Sequence, residues 1–475
     1  MNSTNSVSTL AALLAILLSA AAYAAFSVSA QALSYQQQLA RDIYKELIEI
    51  DTTHSTGNTT MAAEAAAKRL KAAGFPDADV QVLGAHPRKG NLVARMRGTG
   101  AQRPILLLAH LDVVEAKPED WSVDPFKLLE KDGYFYGRGS GDDKAMAAIL
   151  IANLIRYRQE GFKPNRDLIV ALTADEESGG AFNGVDWLLK NHRPLIEAEF
   201  GINEGGSGQV RNGKKLLNAV QASEKVYQSF LLEIRGKGGH SSRPVKDNVI
   251  YHLASALGRL ARFEFPIRLD AITRTYFERV STLESGPTAA DLRSLVSGQP
   301  DSSAIGRLAD IPLYNATMRT TCVATRLEAG HADNALPQTA RAVVNCRILL
   351  AETAEQVKQT LAKVVADDQI TITPMEAAKP SPASPLPPEI LRPIERVTAE
   401  MWPGVPVVPT MTTGATDSLY LRNAGIGMYG VSEIFHDMDD SRSHGRDERI
   451  GVKEFYDGQE FLYRLVKDWS AGARR

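Results

Sequence analysis

Four short stretches carry side chains whose types and spacing suit the binding of a divalent metal ion. "LLLAHLDVV" (Leu106 to Val114) closes an apolar run with His110 and Asp112 one residue apart; alone it fits a core histidine with a chance neighbour better than a metal site. "YGRGSGDDKAMAA" sets Asp142 and Asp143 at the entrance of a helical pattern, behind three glycines. An acid there caps a helix and favours its dipole, but glycines permit a close backbone approach that a cap does not require, so the acid could also face a cation. "TADEESGG" places Asp175, Glu176 and Glu177 directly after the apolar "LIVAL". Three adjacent carboxylates repel, as in a solvated loop; a divalent cation would remove the repulsion, leaving one carboxylate as ligand and another as base. "SRSHGRDER" offers His444, with His436 as the nearby competitor. Oxygen and nitrogen donors without sulfur suit zinc, cobalt or manganese.

The elements that must position these groups alternate. "YQQQLARDIYKELIEI" and "MAAEAAAKRLKAAGF" are helical in period, the second ending at Gly74. "NLVARMRG", "PILLLAHLD", "DLIVALTAD" and "AEFGINEGG" are strand-like, with helical "KAMAAILIANLIRYRQEG" and "GVDWLLKNH" among them. This is the grammar of a mostly parallel sheet covered on both faces. Its strands end in His110 and Asp112, in Asp175 to Glu177, and in Asn203 and Glu204; open α/β sheets place their sites at such carboxyl ends. From about Lys225 two strand-helix-strand units follow in tandem, ending near "ITITP", with "NATMRTTCVATRL" expected as a strand and Arg268 to Pro312 as an insertion of loops or short helices. The Pro/Ser-rich "AAKPSPASPLPPEI" is expected to lead back to the first domain, which "PVVPTMTTGATDSLYLRNAGIGMYGV" and a last helix complete. The organisation expected is a catalytic domain over 33–223 and 379–475 with an inserted domain over 224–378.

A net charge of -2 and the lack of a Lys/Arg-rich tract give no field for nucleic acid. The first charged side chain is Arg41, and "LAALLAILLSAAAYAA" is apolar throughout but short for a membrane span. With small-x-small patterns at Ala22-Tyr-Ala24 and Ala30-Gln-Ala32, residues 1–32 read as a signal peptide of an exported, periplasmic or secreted, protein. The missing basic start keeps an uncleaved membrane anchor as the alternative. Export permits a disulfide between Cys322 and Cys346, the only cysteines; two buried free thiols are the other reading.

The ordered motifs "HLD", "GRGSGDDK", "DEESG", "GKGGHSSRP", "NALP" and "HGRDE" together resemble the di-zinc metallopeptidase family that contains glutamate carboxypeptidase, aminoacylase, carnosinase-type dipeptidases and succinyl-diaminopimelate desuccinylase. The chain is most similar to the branch of vacuolar carboxypeptidases and secreted N-fatty-acyl-amino-acid synthase/hydrolases. The resemblance implies an α/β, zinc-peptidase-like, doubly covered mixed sheet with an inserted α+β, ferredoxin-like lid that also dimerises the protein. It implies two divalent ions, zinc or else cobalt or manganese. His110 would bind one, Asp142 would bridge both, and Glu177 and His444 would hold the other. Asp112 would orient His110, and Glu176 would be the general base. The branch has Asp-Glu-Gly-Gly where this chain has Asn203 and Glu204, so the fifth ligand is Asn203 by alignment or Glu204 by charge. In the lid, His240 would polarise the scissile carbonyl, often across a subunit interface, while Asn334 and Arg347 would take the substrate carboxylate and the segment around Gly414 would line the pocket. Outside the resemblance these are an ordinary loop histidine, turn asparagine and strand arginine. The activity implied is hydrolysis of a peptide or an N-acyl amino acid with a free carboxylate. Two rivals stand beside it: a non-catalytic zinc or peptide binder, suggested by Asn203 and by Ala145 where relatives have Gly but opposed by the retained Glu176, and a single-metal ester or lactone hydrolase.

Overall fold

The computed structural model describes residues 32–178, 182–298, 300–432, 434–440 and 442–471. All but the last residue of the expected leader lies outside them, as do Gly179 and Gly180 of "TADEESGG". The chain divides into two compact units, Met1–Leu39 and Ala40–Arg475, and every candidate site residue belongs to the second. Among the described residues no helix is long and apolar enough to cross a membrane.

Strands Ile105–His110 and Leu168–Thr173 are buried at every position, which requires helices on both faces of their sheet. They pair in parallel inside a ten-stranded mixed sheet that runs, in spatial order, Val80–Gly84, Gly90–Met96, Leu168–Thr173, Ile105–His110, Phe200–Asn203, Gly427–Gly430, Lys214–Glu224, Gly208–Arg211 and His436–Asp437, with Val407–Thr412 joined to Lys214–Glu224. Successive strand residues face opposite sides. Leu106 and Leu108 accordingly enter a core with Val185, Leu188 and Leu421. The sheet is also packed by helix Lys144–Gln159, itself fastened to helix Val452–Ser470 where Asn153 donates to the Gln459 carbonyl and Tyr157 to that of Tyr463, both at 2.9 Å. Three neighbouring parallel strands, ending at Thr173, His110 and Asn203, therefore finish at one edge of the sheet.

Strand Val226–Arg235, helix Val249–Leu260, strands Thr321–Ala329 and Thr339–Ile348, helix Ala354–Val365 and strand Thr371–Pro374 follow the βαββαβ order of a ferredoxin-like layer. Phe230, Leu232 and Ile234 alternate onto the face covered by Leu253 and Leu361. Cys322 lies opposite Cys346 across two antiparallel strands, and the pair forms a disulfide with S–S 2.03 Å; the free-thiol alternative is discarded.

One expectation for 224–378 is corrected, while the short helices expected over Arg268 to Pro312 are present. Asn315 to Met318 belong not to a strand but to helix Pro312–Met318, whose proline at the first turn needs no amide partner there. The helices Ala271–Val280, Gly286–Val296, Ser302–Ala309 and Pro312–Met318 leave the lid layer altogether: Tyr276, Phe277, Leu292 and Met318 bury against Leu217, Ala219 and Val408 of the main sheet. The lid layer is thus made of two chain segments separated by a helical excursion. The Pro/Ser-rich return is stitched in by Ser384, whose amide donates to Ala222 and whose hydroxyl donates to Met428, each at 2.8 Å.

Candidate metal centre

His110 ends its strand with 2% of its surface exposed. Its Nδ1 lies 2.9 Å from the Asp112 backbone carbonyl; a carbonyl only accepts, so Nδ1 carries a proton and Nε2 is the nitrogen turned toward the acidic cluster. Nε2 stands 2.9 Å from Asp142 Oδ1 and 3.9 Å from Glu204 Oε1. Asp112, expected to orient His110, faces it most closely through its backbone carbonyl. Its carboxylate sits 3.8 Å from His110 Nδ1 and accepts the amide of Glu176 on Oδ1 at 3.1 Å and that of Glu177 on Oδ2 at 3.0 Å. Backbone, not side chain, sets the His110 tautomer, and the carboxylate holds the loop that carries both glutamates.

That loop divides its three acids. Asp175, with φ 65°, turns into the protein, where its Oδ1 accepts from Lys89 Nζ at 2.8 Å and lies 3.2 Å from His54 Nδ1. Asn91 takes the Ala174 amide at 2.9 Å. Glu176 and Glu177 turn the other way. Glu177 meets His444 Nε2 at 2.9 Å, and the same nitrogen is 3.3 Å from Asp142 Oδ2. His444 is held at φ 63°, and the hydrogen bonds that its ring donates to the carboxylates of Asp142 and Glu177 push its imidazole up to about 10. Asp142 is held well below the usual carboxylate range: burial opposes this, but its bonds to His110 and His444 prevail. Burial and the charge of Glu204 push Glu176 well up, and burial and Asp142 do the same for Glu204.

Asn203 and Glu204 are adjacent and diverge. The Asn203 amide donates to Ser418 Oγ at 3.2 Å, while Glu204 joins the cluster. Ligand atoms of His110, Asp142 and Glu177 lie within 4.8 Å of one another, as do those of His110, Glu176 and Glu204. Packed carboxylates driven toward protonation by mutual repulsion are what a divalent cation reverses, so the residues present fit a pair of such ions.

Asp143 takes the N-cap position of helix Lys144–Gln159 without a side-chain cap bond; its carboxylate faces the His110 amide at 3.4 Å. The peptide between Asp142 and Asp143 is cis. His436 lies in strand His436–Asp437, 3.2 Å from Ser207 Oγ, and belongs to neither donor group. Near Gly414 the nearest atom to an added Cβ would be 3.8 Å away, so local sterics do not demand glycine there.

The lid residues are placed apart. His240, exposed, pairs with Ala335, and its Nδ1 accepts the Ser242 amide at 3.1 Å, which puts the ring proton on Nε2. The exposed Asn334 neighbours it through its carbonyl, which accepts from Ser241 at 3.0 Å. Arg347 stacks over Tyr227 at 4.7 Å. Among the described residues none of the three bonds to the acidic cluster.

Two buried acids escape a reading of the sequence. Asp417 accepts from Asn183 at 2.6 Å and Thr173 at 3.2 Å, tying "TTGATDS" to the end of strand Leu168–Thr173; burial pushes it up to about 7. Glu448 contacts the Asp142 loop. Its place four residues after His444, in a motif already singled out, is the available signal.

The model of peptidase family M20/M25/M40 matches residues 106–468. The human N-fatty-acyl-amino acid synthase/hydrolase PM20D1 is 32% identical over 378 residues, 77% of this chain and 74% of that protein. Among solved structures, the M20 family metallo-carboxypeptidase Sso-CP2 from Sulfolobus solfataricus superposes with a TM-score of 0.68 at 15% identity, covering 92% of this chain and all of that one. A dinuclear metal-binding peptidase of the M20 family from Bacillus subtilis, YXEP, superposes with a TM-score of 0.56 at 14% identity, covering 91% and 97%.

Proposed function

Because the chain belongs to peptidase family M20/M25/M40, we propose that it hydrolyses the amide bond of a peptide or N-acyl amino acid bearing a free carboxylate, with two divalent cations, zinc foremost, held by His110, Asp142, Glu177, Glu204 and His444. The observation that carries this reading is the pair of donor groups that share His110, one of which contains Glu176. Glu204 is preferred to Asn203 because its carboxylate enters the cluster while the Asn203 amide is bonded to Ser418. Bound there, the cations would supply Lewis acidity, acidifying water and drawing charge from the scissile carbonyl. Glu176, raised above the ordinary carboxylate range by burial, takes the proton from water and returns it to the leaving amine. His240 offers Nε2–H to the oxyanion, and Arg347 with Asn334 takes the carboxylate. A carboxypeptidase substrate and an N-acyl amino acid share this acyl-amino-carboxylate end, which accommodates the names of both relatives.

Glu176→Gln tests the reading. Full zinc content by mass spectrometry with kcat lowered by at least ~10²-fold on dipeptides and N-acyl amino acids is expected; near-normal turnover with full metal overturns it.

Export as a homodimer completes the proposal. The Cys322–Cys346 bond is of a kind that persists in oxidising compartments, and lid strand Thr321–Ala329 is a sheet edge with Val323 61% and Leu327 63% exposed, a template for a second copy. Sedimentation of Leu327→Lys should return a monomer where the parent chain is a dimer.

A further inference from the structure

We propose that Glu448 is a positioning residue that seats the two loops carrying Asp142 and His444 against one another, and so sets the affinity of the metal centre. The inference rests on the reading of Asp142 and His444 as metal ligands. Glu448 is 1% exposed and its carboxylate receives four hydrogen bonds: Gly141 N at 2.7 Å and Asp142 N at 3.1 Å on Oε1, Gly139 N at 3.1 Å and Arg138 Nη1 at 2.7 Å on Oε2. Its own backbone carbonyl accepts from Gly137 at 3.1 Å. Every contact runs from the late loop to the loop "GRGSGDD", more than 300 residues earlier in the chain.

Elsewhere that early loop is held at Arg138, whose amide donates to the Pro125 carbonyl at 2.7 Å, and at Ser140, whose carbonyl accepts from Tyr44 at 2.9 Å; the Gly139, Gly141 and Asp142 amides go to Glu448. Gly139 sits at φ 81°, and a Cβ there would stand 2.7 Å from Val113 Cγ1, so glycine is required and with it an intrinsically mobile backbone. Convergent amides around an anion give such a loop one conformation. Arg138 returns the tie: its Nη2 donates to the Gly445 carbonyl at 2.9 Å, next to His444. Together they hold Asp142 Oδ2 3.3 Å from His444 Nε2. The amides that satisfy this buried carboxylate belong to the loop that carries Asp142, so weakening them should move zinc affinity as well as stability.

The experiment compares the parent chain with Glu448→Gln, Arg138→Gln and the double variant, titrating each metal-free protein with zinc alone by calorimetry and following thermal unfolding. Glu448→Gln is expected to bind zinc about 10–100-fold more weakly, as loss of groups that orient ligands commonly does, with kcat regained at saturating zinc. It also leaves Arg138 a buried charge without its partner, which destabilises. The double variant removes that charge, so its melting temperature should recover while zinc affinity stays low, because the single glutamine oxygen cannot accept from all three loop amides and its NH2 meets the remaining one donor to donor. Recovery of affinity together with stability, or parent-like zinc binding in Glu448→Gln, overturns the inference. If Glu448→Gln does not fold, the double variant carries the same test. A parent chain that binds no zinc at all would instead refute the metal-centre reading beneath it.

Discussion

The metal centre and the lid groups differ in how far they are assembled. His110, Asp142, Glu177 and Glu204 stand at the ends of strands and loops that fix one another by backbone amides, and His110 alone is 2% exposed. His240 and Asn334 are exposed, on a two-stranded ribbon whose hydrogen bonds are local. The groups proposed to activate water are preorganised within the chain, which is where electrostatic catalysis gains most. The groups proposed to meet substrate wait on a surface, so their task needs lid closure or a second copy.

The widest separation of the two regions comes from His240→Ala. Activity should fall roughly 10²–10³-fold, the usual loss for an oxyanion donor, while zinc content and melting temperature stay unchanged. Mixing and refolding it with Glu176→Ala, with mixed dimers verified by mass, should restore activity if His240 serves the partner's site; continued inactivity places it in its own chain's site.

Asp112→Asn probes the other side. Its amide can accept only one of the two loop bonds, so Glu176 and Glu177 should both loosen, lowering kcat and zinc affinity by about 10–100-fold. A zinc titration and kcat in which the Asn variant matches the parent would show that the Asp112 carboxylate does not hold the glutamate loop.

A third, smaller effect concerns pH. In the metal-free protein His444 lies raised to about 10 by Asp142 and Glu177, above its ordinary 6.5. Its ion pairs thus contribute fully below about 6.5 and are lost as pH rises through about 10. Zinc needs the neutral ring, so zinc affinity should climb with pH between 6.5 and 10, by up to about tenfold per unit for this proton, and His444→Gln should flatten that slope. A slope identical in the two proteins would exclude His444 as the source.

Least of all should activity feel the lid disulfide. Cys322→Ser with Cys346→Ala opens a loop of 24 residues, a stabilisation of about 3 kcal/mol on chain-entropy grounds, and should lower the melting temperature with kcat intact at 25 °C. A large loss of kcat would place the lid edge in the site.

Much of this is legible in the linear chain. Alternating apolar runs ending in His110, Glu176 and Glu204 specify buried parallel strands with polar carboxyl ends, because a fully apolar strand must be covered on both faces. Residue types without sulfur narrow the chemistry to hard or borderline cations. What the chain cannot state is which atom of a residue faces which partner. Asn203 and Glu204 differ by one position, and only the strand's path turns one toward Ser418 and the other toward His110. Asp112 stands out by its place beside His110, yet its carboxylate serves other neighbours, amides 64 and 65 residues away. The helices from Ala271 to Met318 carry apolar faces that would suit either domain, and the main sheet wins them. The partners of Glu448 are hidden for the same reason, although its place in "HGRDE" is not: four donors separated from it by some 300 residues gather around one carboxylate only after both loops are folded. Local sequence determines periodicity and donor chemistry; the pairing of buried polar groups is a long-range condition, imposed because each must find a partner once water is gone.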